Sequence, residues 1–551
     1  MATPALADNL KAALSLQQAG RLDEAKAAFE AIIAQHPQHP EAYHLLGLLL
    51  AQGGFPDKGM EILRVAVRLA PANPTYRTNL VTLLQALKRG DEALAQQGEL
   101  VRITPDAPDA NLRLGRMHFA AGHMEKAEAA LAQALTLAPD LTPAHLAMGR
   151  LLVATGRDEE GEQHLKIALA AAPDDPLGQT LMGGVCLKQG RVNEAVVHYG
   201  RARDLTPAEP LAHYNLGNVL LLDRQLAAAK AAYKEAVRLA PNLAEAHAHL
   251  GTLMMLEGDL AGGWPEYEWR WKGAGFPNRQ APGPLWDGAA LDGGTLLLTT
   301  EQGYGDAFQF VRFAAQAAQA SRARVVVEAQ ATIAELMASA PGVDNVVVRG
   351  QPLPTFDAQA PLMTLPTILH TTVDTLPAEA PYLSPAPERR EHWDRELAAL
   401  QGRKVGLVWR GNPDQLHNVY RSCPVEALAP LLDVDGVTLV GLQKDPTSAE
   451  LERLAGLVDF GSRVETFADT AAIMANLDLV ISVCTSTAHL AGALGRPTWV
   501  MLSAGSDWRW FLGREDCPWY PTARLFRQHS LHDWRNLTTR AASALADWAT
   551  P

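Results

Sequence analysis

Three short segments of this chain gather residues suited to holding an anion or moving a proton. The first is EQGYGDAFQF, where Gly303 and Gly305 open a loop and Asp306 follows at once. Glycines there expose backbone N–H groups, and a helix beginning at that point adds its positive dipole end. Asp306 suits either a general base for a hydroxyl or a capping residue for the helix. The second, GLVWRGNPDQLHNVYRS, offers Arg410 and Arg421, whose planar guanidinium groups match a phosphate with two hydrogen bonds each. The third, ISVCTSTAHLAGAL, brings Cys484, Thr485, Ser486 and Thr487 to the start of a helix, with His489 one turn in. Small hydroxyl residues and free N–H groups at a helix start form an anion nest, although Ser486 or Thr487 would also serve as an ordinary N-cap.

These segments recur at one structural place. Apolar runs of strand length alternate with helical patterns: GTLLLTT, RVVVEA, NVVVRG and APLMTL, then, after a break near 385–402, KVGLVW, VTLVGL, LDLVISV and TWVML. Strands alternating with helices build parallel α/β sheets, and two such series predict two Rossmann-like lobes. Ligands of these sheets bind beyond the carboxyl ends of the strands, where all three segments fall. A dinucleotide fingerprint is disfavoured: its third glycine would be Phe308, and Asp306 would set a carboxylate against a pyrophosphate, despite Glu328 ending the second strand as a ribose-binding acid does.

The first half is different. Pro37, Pro71, Pro105, Pro139, Pro173, Pro207 and Pro241 stand 34 residues apart. Small residues recur in the same register, among them Gly47, Gly115 and Gly149 in one column and Gly59, Ala93 and Ala127 in another, with turn glycines at Gly20, Gly54, Gly122, Gly156 and Gly190. The pattern predicts helical hairpins that cross closely at small residues and stop at proline. It resembles the tetratricopeptide repeat over residues from about 6 to 243. An eighth unit from Ala244 runs into the tryptophan-rich WPEYEWRWKG and is expected to dock its last helix on the next domain. Such arrays bind proteins or peptides. The animal O-GlcNAc transferases line a similar array with asparagines. The matching slot here holds Asn79 and Asn215, the candidate acceptor contacts, but otherwise Leu45, Arg113, Ala147, Leu181 and His249.

Taken together, EQGYGDAFQFVRF, GLVWRGNP…RS, ADTAAIMANLDLVIS, TAHLAGALGRPTWVML and DWRWFLGREDCPWYPTARLFRQ resemble bacterial proteins related to the ADP-heptose:lipopolysaccharide heptosyltransferases, from about 264 to 548. The layout of repeats joined to such a domain is similar to that of flagellin glycosyltransferases. The resemblance implies an α-solenoid of tetratricopeptide repeats (1–272) followed by an α/β GT-B fold of two Rossmann-like lobes (285–395 and 396–551). It implies an inverting transfer from a sugar nucleotide to a protein acceptor, flagellin being one candidate. Asp306 after Gly305 is then the base, and Thr485 and His489, with Ser486 and Thr487 between them, hold the donor. No cofactor beyond the donor substrate is implied, and no metal, since no DxD motif closes a strand. The chain departs from its relatives at Cys484, where they carry an aspartate, and at Gln415, His417 and Asn418 after Gly411. A protein scaffold with a non-catalytic domain is the rival reading, and Cys484 is its best argument.

Bulk composition narrows the partners. A net charge of −13 disfavours nucleic acid. The sequence has neither an 18-residue apolar run nor a basic start followed by an apolar segment, so no membrane span, no signal peptide and a cytoplasmic location are expected. Cys186, Cys423, Cys484 and Cys517 are scattered without CxxC spacing, which argues for a reducing compartment and against structural zinc.

Overall fold

The computed structural model describes residues 4–273, 282–412, 418–505 and 507–550. Gln415 and His417 lie outside them. The chain divides into two compact units, Met1–Pro207 and Ala208–Pro551.

The first unit contains twelve α-helices among its described residues, from Pro4–Gln18 to Val192–Leu205. They pair as hairpins that cross at small buried residues, most closely where both are glycine. A Cβ on Gly47 would stand 2.9 Å from the carbonyl oxygen of Gly59, and one on Gly59 would stand 2.6 Å from that of Gly47. The hairpin turn demands positive φ at every thirty-fourth position. Gly20, Gly54, Gly122, Gly156 and Gly190 supply it (φ 74–89°), and Lys88 adopts it without being glycine (φ 57°). The turn geometry is therefore imposed by the packing of the two helices, and glycine only makes it easier.

The prolines have a second consequence. The second helix of each hairpin ends just before the repeat proline, whose carbonyl needs a donor. A polar side chain six residues on supplies one: Tyr43 to Pro37 (3.3 Å), Arg77 to Pro71 (3.1 Å), Asn111 to Pro105 (3.4 Å), His145 to Pro139 (2.8 Å) and Gln179 to Pro173 (2.7 Å). These side chains look unrelated in the sequence, yet all carry a donor at one register.

The second unit opens with four more repeat helices, Pro210–Leu222, Leu226–Leu239, Ala244–Leu256 and Leu260–Tyr267. The last hairpin packs onto the α/β part through aromatic residues. Trp264 is buried, meets Trp508, Phe310 and Trp519 edge to face at 5.4–6.4 Å, and donates its indole N–H to the Thr371 carbonyl at 3.0 Å.

Two wholly parallel sheets follow. The first has the order β3-β2-β1-β4, from β1 (Thr295–Thr299), β2 (Arg324–Ala329), β3 (Asn345–Val348) and β4 (Ala358–Pro361). The second has the order β10-β9-β8-β5-β6-β7, from β5 (Arg403–Val408), β6 (Val437–Gly441), β7 (Val458–Asp459), β8 (Leu479–Val483), β9 (Thr498–Leu502) and β10 (Ala523–Arg527). The central strands are buried on both faces, as parallel sheets require. The order of connection reverses between β1 and β4 in one sheet and between β5 and β8 in the other.

Two expectations change. The break near 385–402 is a helix, Pro387–Leu397, whose charged surface hides a buried Trp393 and Leu397. Its Arg389 pairs with Glu335 beside the first sheet and Asp469 beside the second. The APLMTL run is strand only as far as Pro361 and then turns into 3₁₀ and α-helix (Leu362–Ile368), with Leu362, Met363 and Leu365 buried.

Candidate functional site

The two order reversals are where such sheets bind ligands, and the candidate residues stand there. After β1 the chain is fixed by Glu301, whose buried carboxylate takes Arg270 of the last repeat (3.1 Å) and the Met363 N–H (3.0 Å). Burial pushes the Glu301 carboxyl up to about 7 against the pull of Arg270. Gln302 adds a hydrogen bond to the Tyr267 hydroxyl at 3.1 Å. The end of the repeat region thus fixes the loop that carries the candidate base.

The helix Tyr304–Phe310 starts from Gly303, so Gly303, and not Asp306, is the N-cap. Asp306 sits three residues in and accepts the Gly303 N–H at 2.9 Å through Oδ2. Its Oδ1 takes a second partner, Arg509 Nη2, at 2.5 Å. Capping and facing the second lobe are therefore not alternatives here: one carboxylate does both. Arg509 is nearly buried, holds Asp507 with its other nitrogen at 2.9 and 3.1 Å, and lies over the Trp508 ring at 4.3 Å. Both carboxylates keep the Arg509 guanidinium firmly charged despite its burial.

The helix Ser486–Ala493 begins directly opposite. Its N-cap is Thr485, a correction to Ser486 or Thr487, and the Thr485 side chain makes no capping bond, turning to Ser482 Oγ at 3.2 Å instead. Extended backbone at Thr485 (φ −142°) sets the cap one residue earlier than the hydroxyl run suggested. The two helix starts touch. A Cβ on Gly305 would stand 2.9 Å from His489 Cδ2 and 3.3 Å from Ser486 Cα. His489 is stacked on Trp510 (5.1 Å, 21°) and hydrogen-bonded to the Tyr520 hydroxyl through Nδ1 at 3.0 Å. Burial, then the nearby Arg509 charge, pushes it down to about 3, so it is neutral at physiological pH. Cys484 Sγ accepts the Trp510 indole N–H at 3.1 Å. Burial pushes its thiol up to about 11, so this position is uncharged here.

The remaining candidates divide. Arg421, on the short helix Asn418–Arg421, lies against Gly411, where a Cβ would come within 2.9 Å of its Nη2, and its charge reaches Cys484. Arg410 is already held by Glu450 (2.9 Å) and the Asp445 carbonyl (2.6 Å), which makes it a fixed wall of the β5 loop. Asn79 bonds His44 at 2.7 Å within its repeat region. Asn215 is half-buried on the helix Pro210–Leu222. Arg509, Asp507, Glu301 and Arg270 escaped sequence reasoning. For Arg509 and Asp507 the signal was the DWRW run, an arginine between two tryptophans with an aspartate before them.

Family models of the tetratricopeptide repeat match residues 10–74, 78–142, 118–184, 183–223 and 210–243. The N-terminal part is a tetratricopeptide-repeat array. Repeats of this kind commonly bind protein partners. The chain is 31% identical over 325 residues to a protein named FlbA from Caulobacter vibrioides, with 52% of this chain and 52% of that protein covered. It therefore spans about half the length of the curated relative it matches. Among solved structures it is similar to a tetratricopeptide repeat protein from Parabacteroides merdae (16% identity, 46% of this chain and 100% of that one, TM-score 0.36). It is also similar to YrrB, described as a repeat protein with an unusual peptide-binding site (17%, 33% and 95%, TM-score 0.29). Among the described residues no helix is long and apolar enough to cross a membrane.

Proposed function

We propose that this chain is an inverting, sugar-nucleotide-dependent glycosyltransferase of GT-B fold that acts on a protein acceptor recruited by its repeats. The observation that carries the reading is the meeting of the two helix starts: Gly305, beside Asp306 at the switch point of one sheet, packs against Ser486 and His489 at the switch point of the other. An inverting transfer needs a base for the acceptor hydroxyl and cations or N–H dipoles for the departing diphosphate. Asp306 is the base, with Arg509 fixing its position. Arg421 and the uncapped start of the Ser486 helix receive the diphosphate. Flagellin is the acceptor to test first, because the layout of repeats joined to such a domain is similar to that of flagellin glycosyltransferases.

A thermal-shift series against sugar nucleotides tests the donor site, since a ligand at 100 times its Kd adds about 2.7 kcal/mol of stability. One donor should raise the melting temperature of the wild type and not of Arg421→Ala. If no sugar nucleotide does so, the second reading stands: a scaffold whose transferase-like domain is silent, favoured by the neutral Cys484.

A further inference from the structure

The repeats sort their charge. The first helices of the third to sixth repeats, Pro74–Ala86, Pro108–Ala120, Thr142–Ala154 and Pro176–Lys188, carry Arg77, Arg113, Arg116, Arg150 and Lys188 against a single acid, Asp109. Three of their four partner helices are net acidic, one of them opening with Asp158, Glu159, Glu160 and then Glu162, and the fourth, Val192–Leu205, is balanced. In a chain of net charge −13, this is a segregated basic row.

Three of these arginines form one continuous stripe. Arg113 and Arg116 are three residues apart and so share a helix face, and Arg150 is the equivalent of Arg116 one repeat on. Each reaches across to a neighbouring first helix. Arg113 donates to Thr82 Oγ1 (3.0 Å) and Gln85 Oε1 (3.3 Å), Arg116 donates to the Pro143 carbonyl (3.3 Å), and Arg150 lies over the Phe119 ring at 5.0 Å. All these partners are neutral. Among the described residues none of the three arginines is ion-paired, whereas Arg157 and Arg191, on the turns, are. Arg116 and Arg150 are exposed. Beside Arg116 a groove of about 300 Å³ runs between Pro143, Leu146 and Leu169.

We propose that this stripe docks an acidic segment of a protein partner, with an apolar side chain of that segment seated in the groove. Three charges held in place by neutral partners keep their full attraction for an incoming carboxylate, and ordering them costs little because they are already ordered. That the partner is the glycosylation acceptor rests on the reading above; that the stripe binds acidic peptide does not.

The test uses the full chain and a fluorescein-labelled Glu-rich peptide containing one Leu, read by anisotropy without any sugar nucleotide. The wild type should bind it, more weakly as salt rises. Arg116→Glu/Arg150→Glu should bind about tenfold more weakly, and Arg116→Ala/Arg150→Ala should show a smaller loss in the same direction. Arg102→Glu, on a partner helix, and Asp306→Asn should bind like the wild type. All variants should keep their helical circular dichroism. Equal binding by both double variants overturns the proposal, as does the lack of any peptide binding at low salt. So does displacement of the peptide by lower concentrations of single-stranded DNA, which would make the stripe a nucleic-acid site. Loss of transfer with peptide binding intact would fault the chemistry and leave the docking surface standing.

Discussion

Gly305→Ala, set beside Gly303→Ala, isolates the contact between the two helix starts. Both glycines have φ values that alanine adopts freely, so any difference comes from space. At Gly303 an added methyl meets only Asp306 Oδ2, at 3.4 Å, and stability should fall by about 0.5–1 kcal/mol, the cost of replacing a glycine N-cap by alanine. At Gly305 the methyl would sit 2.9 Å from His489 Cδ2, roughly 0.5 Å or more inside ordinary contact. His489 cannot swing away, because it is stacked on Trp510 and bonded to Tyr520, and the other close atom, Ser486 Cα, is backbone. Overpacking of this kind costs about 1–3 kcal/mol, and alanine's helix preference returns at most about 1 kcal/mol. A net loss of about 1–2 kcal/mol should appear in urea denaturation, together with loss of any donor-induced thermal shift, because the lobes are pushed apart at the site. If Gly305→Ala matches Gly303→Ala in both measurements, the two starts are not packed as described.

Other consequences are quickly checked. Trp264→Ala removes a buried ring that joins the last hairpin to Trp508, Phe310 and Trp519, and should cost about 3–5 kcal/mol by chemical denaturation. His489 ionises only near 3 when folded, against an ordinary value of 6.5. The unfolded chain therefore binds the extra proton first, and the stability present above pH 6.5 is lost as pH falls from there toward 3, by about 1.4 kcal/mol per unit. His489→Gln should flatten that part of the stability–pH curve, and an unchanged slope would contradict the buried neutral ring. Lys88→Gly should stabilise the array by up to about 1 kcal/mol, since it relieves a left-handed residue in a turn where the equivalent positions hold glycine; a thermal melt decides its sign.

The repeats were legible because a 34-residue period repeats its own evidence: proline, small crossing residues and turn glycines recur until chance is excluded. What the period hid was the polar column from Tyr43 to Gln179, whose members share a donor and no chemistry otherwise. In the α/β part the strands were legible from apolar runs, and so were the segments at their carboxyl ends. The helix Pro387–Leu397 was not, because a surface helix with only Trp393 and Leu397 buried reads as a charged linker. Arg509 was out of reach for a different reason. It meets Asp306 across 203 residues of chain, and no local pattern records a contact between a helix after β1 and a turn after β9. Arg410 illustrates the converse. Its place after a strand suggests phosphate binding, but Glu450 was always going to be its nearest anion once β5 and the helix Ser448–Arg453 were side by side.

The central claim is that Asp306 takes the proton from an acceptor hydroxyl, and the most direct measurement is transfer by Asp306→Asn. Asparagine keeps an oxygen for the Gly303 N–H, so the fold and donor-induced thermal shift should persist. Sugar added to purified flagellin, read as intact-mass increment over time with the donor found by thermal shift, should fall by about 10²–10⁴-fold. A variant that folds, binds donor and transfers at the wild-type rate would contradict the assignment of Asp306 as the base.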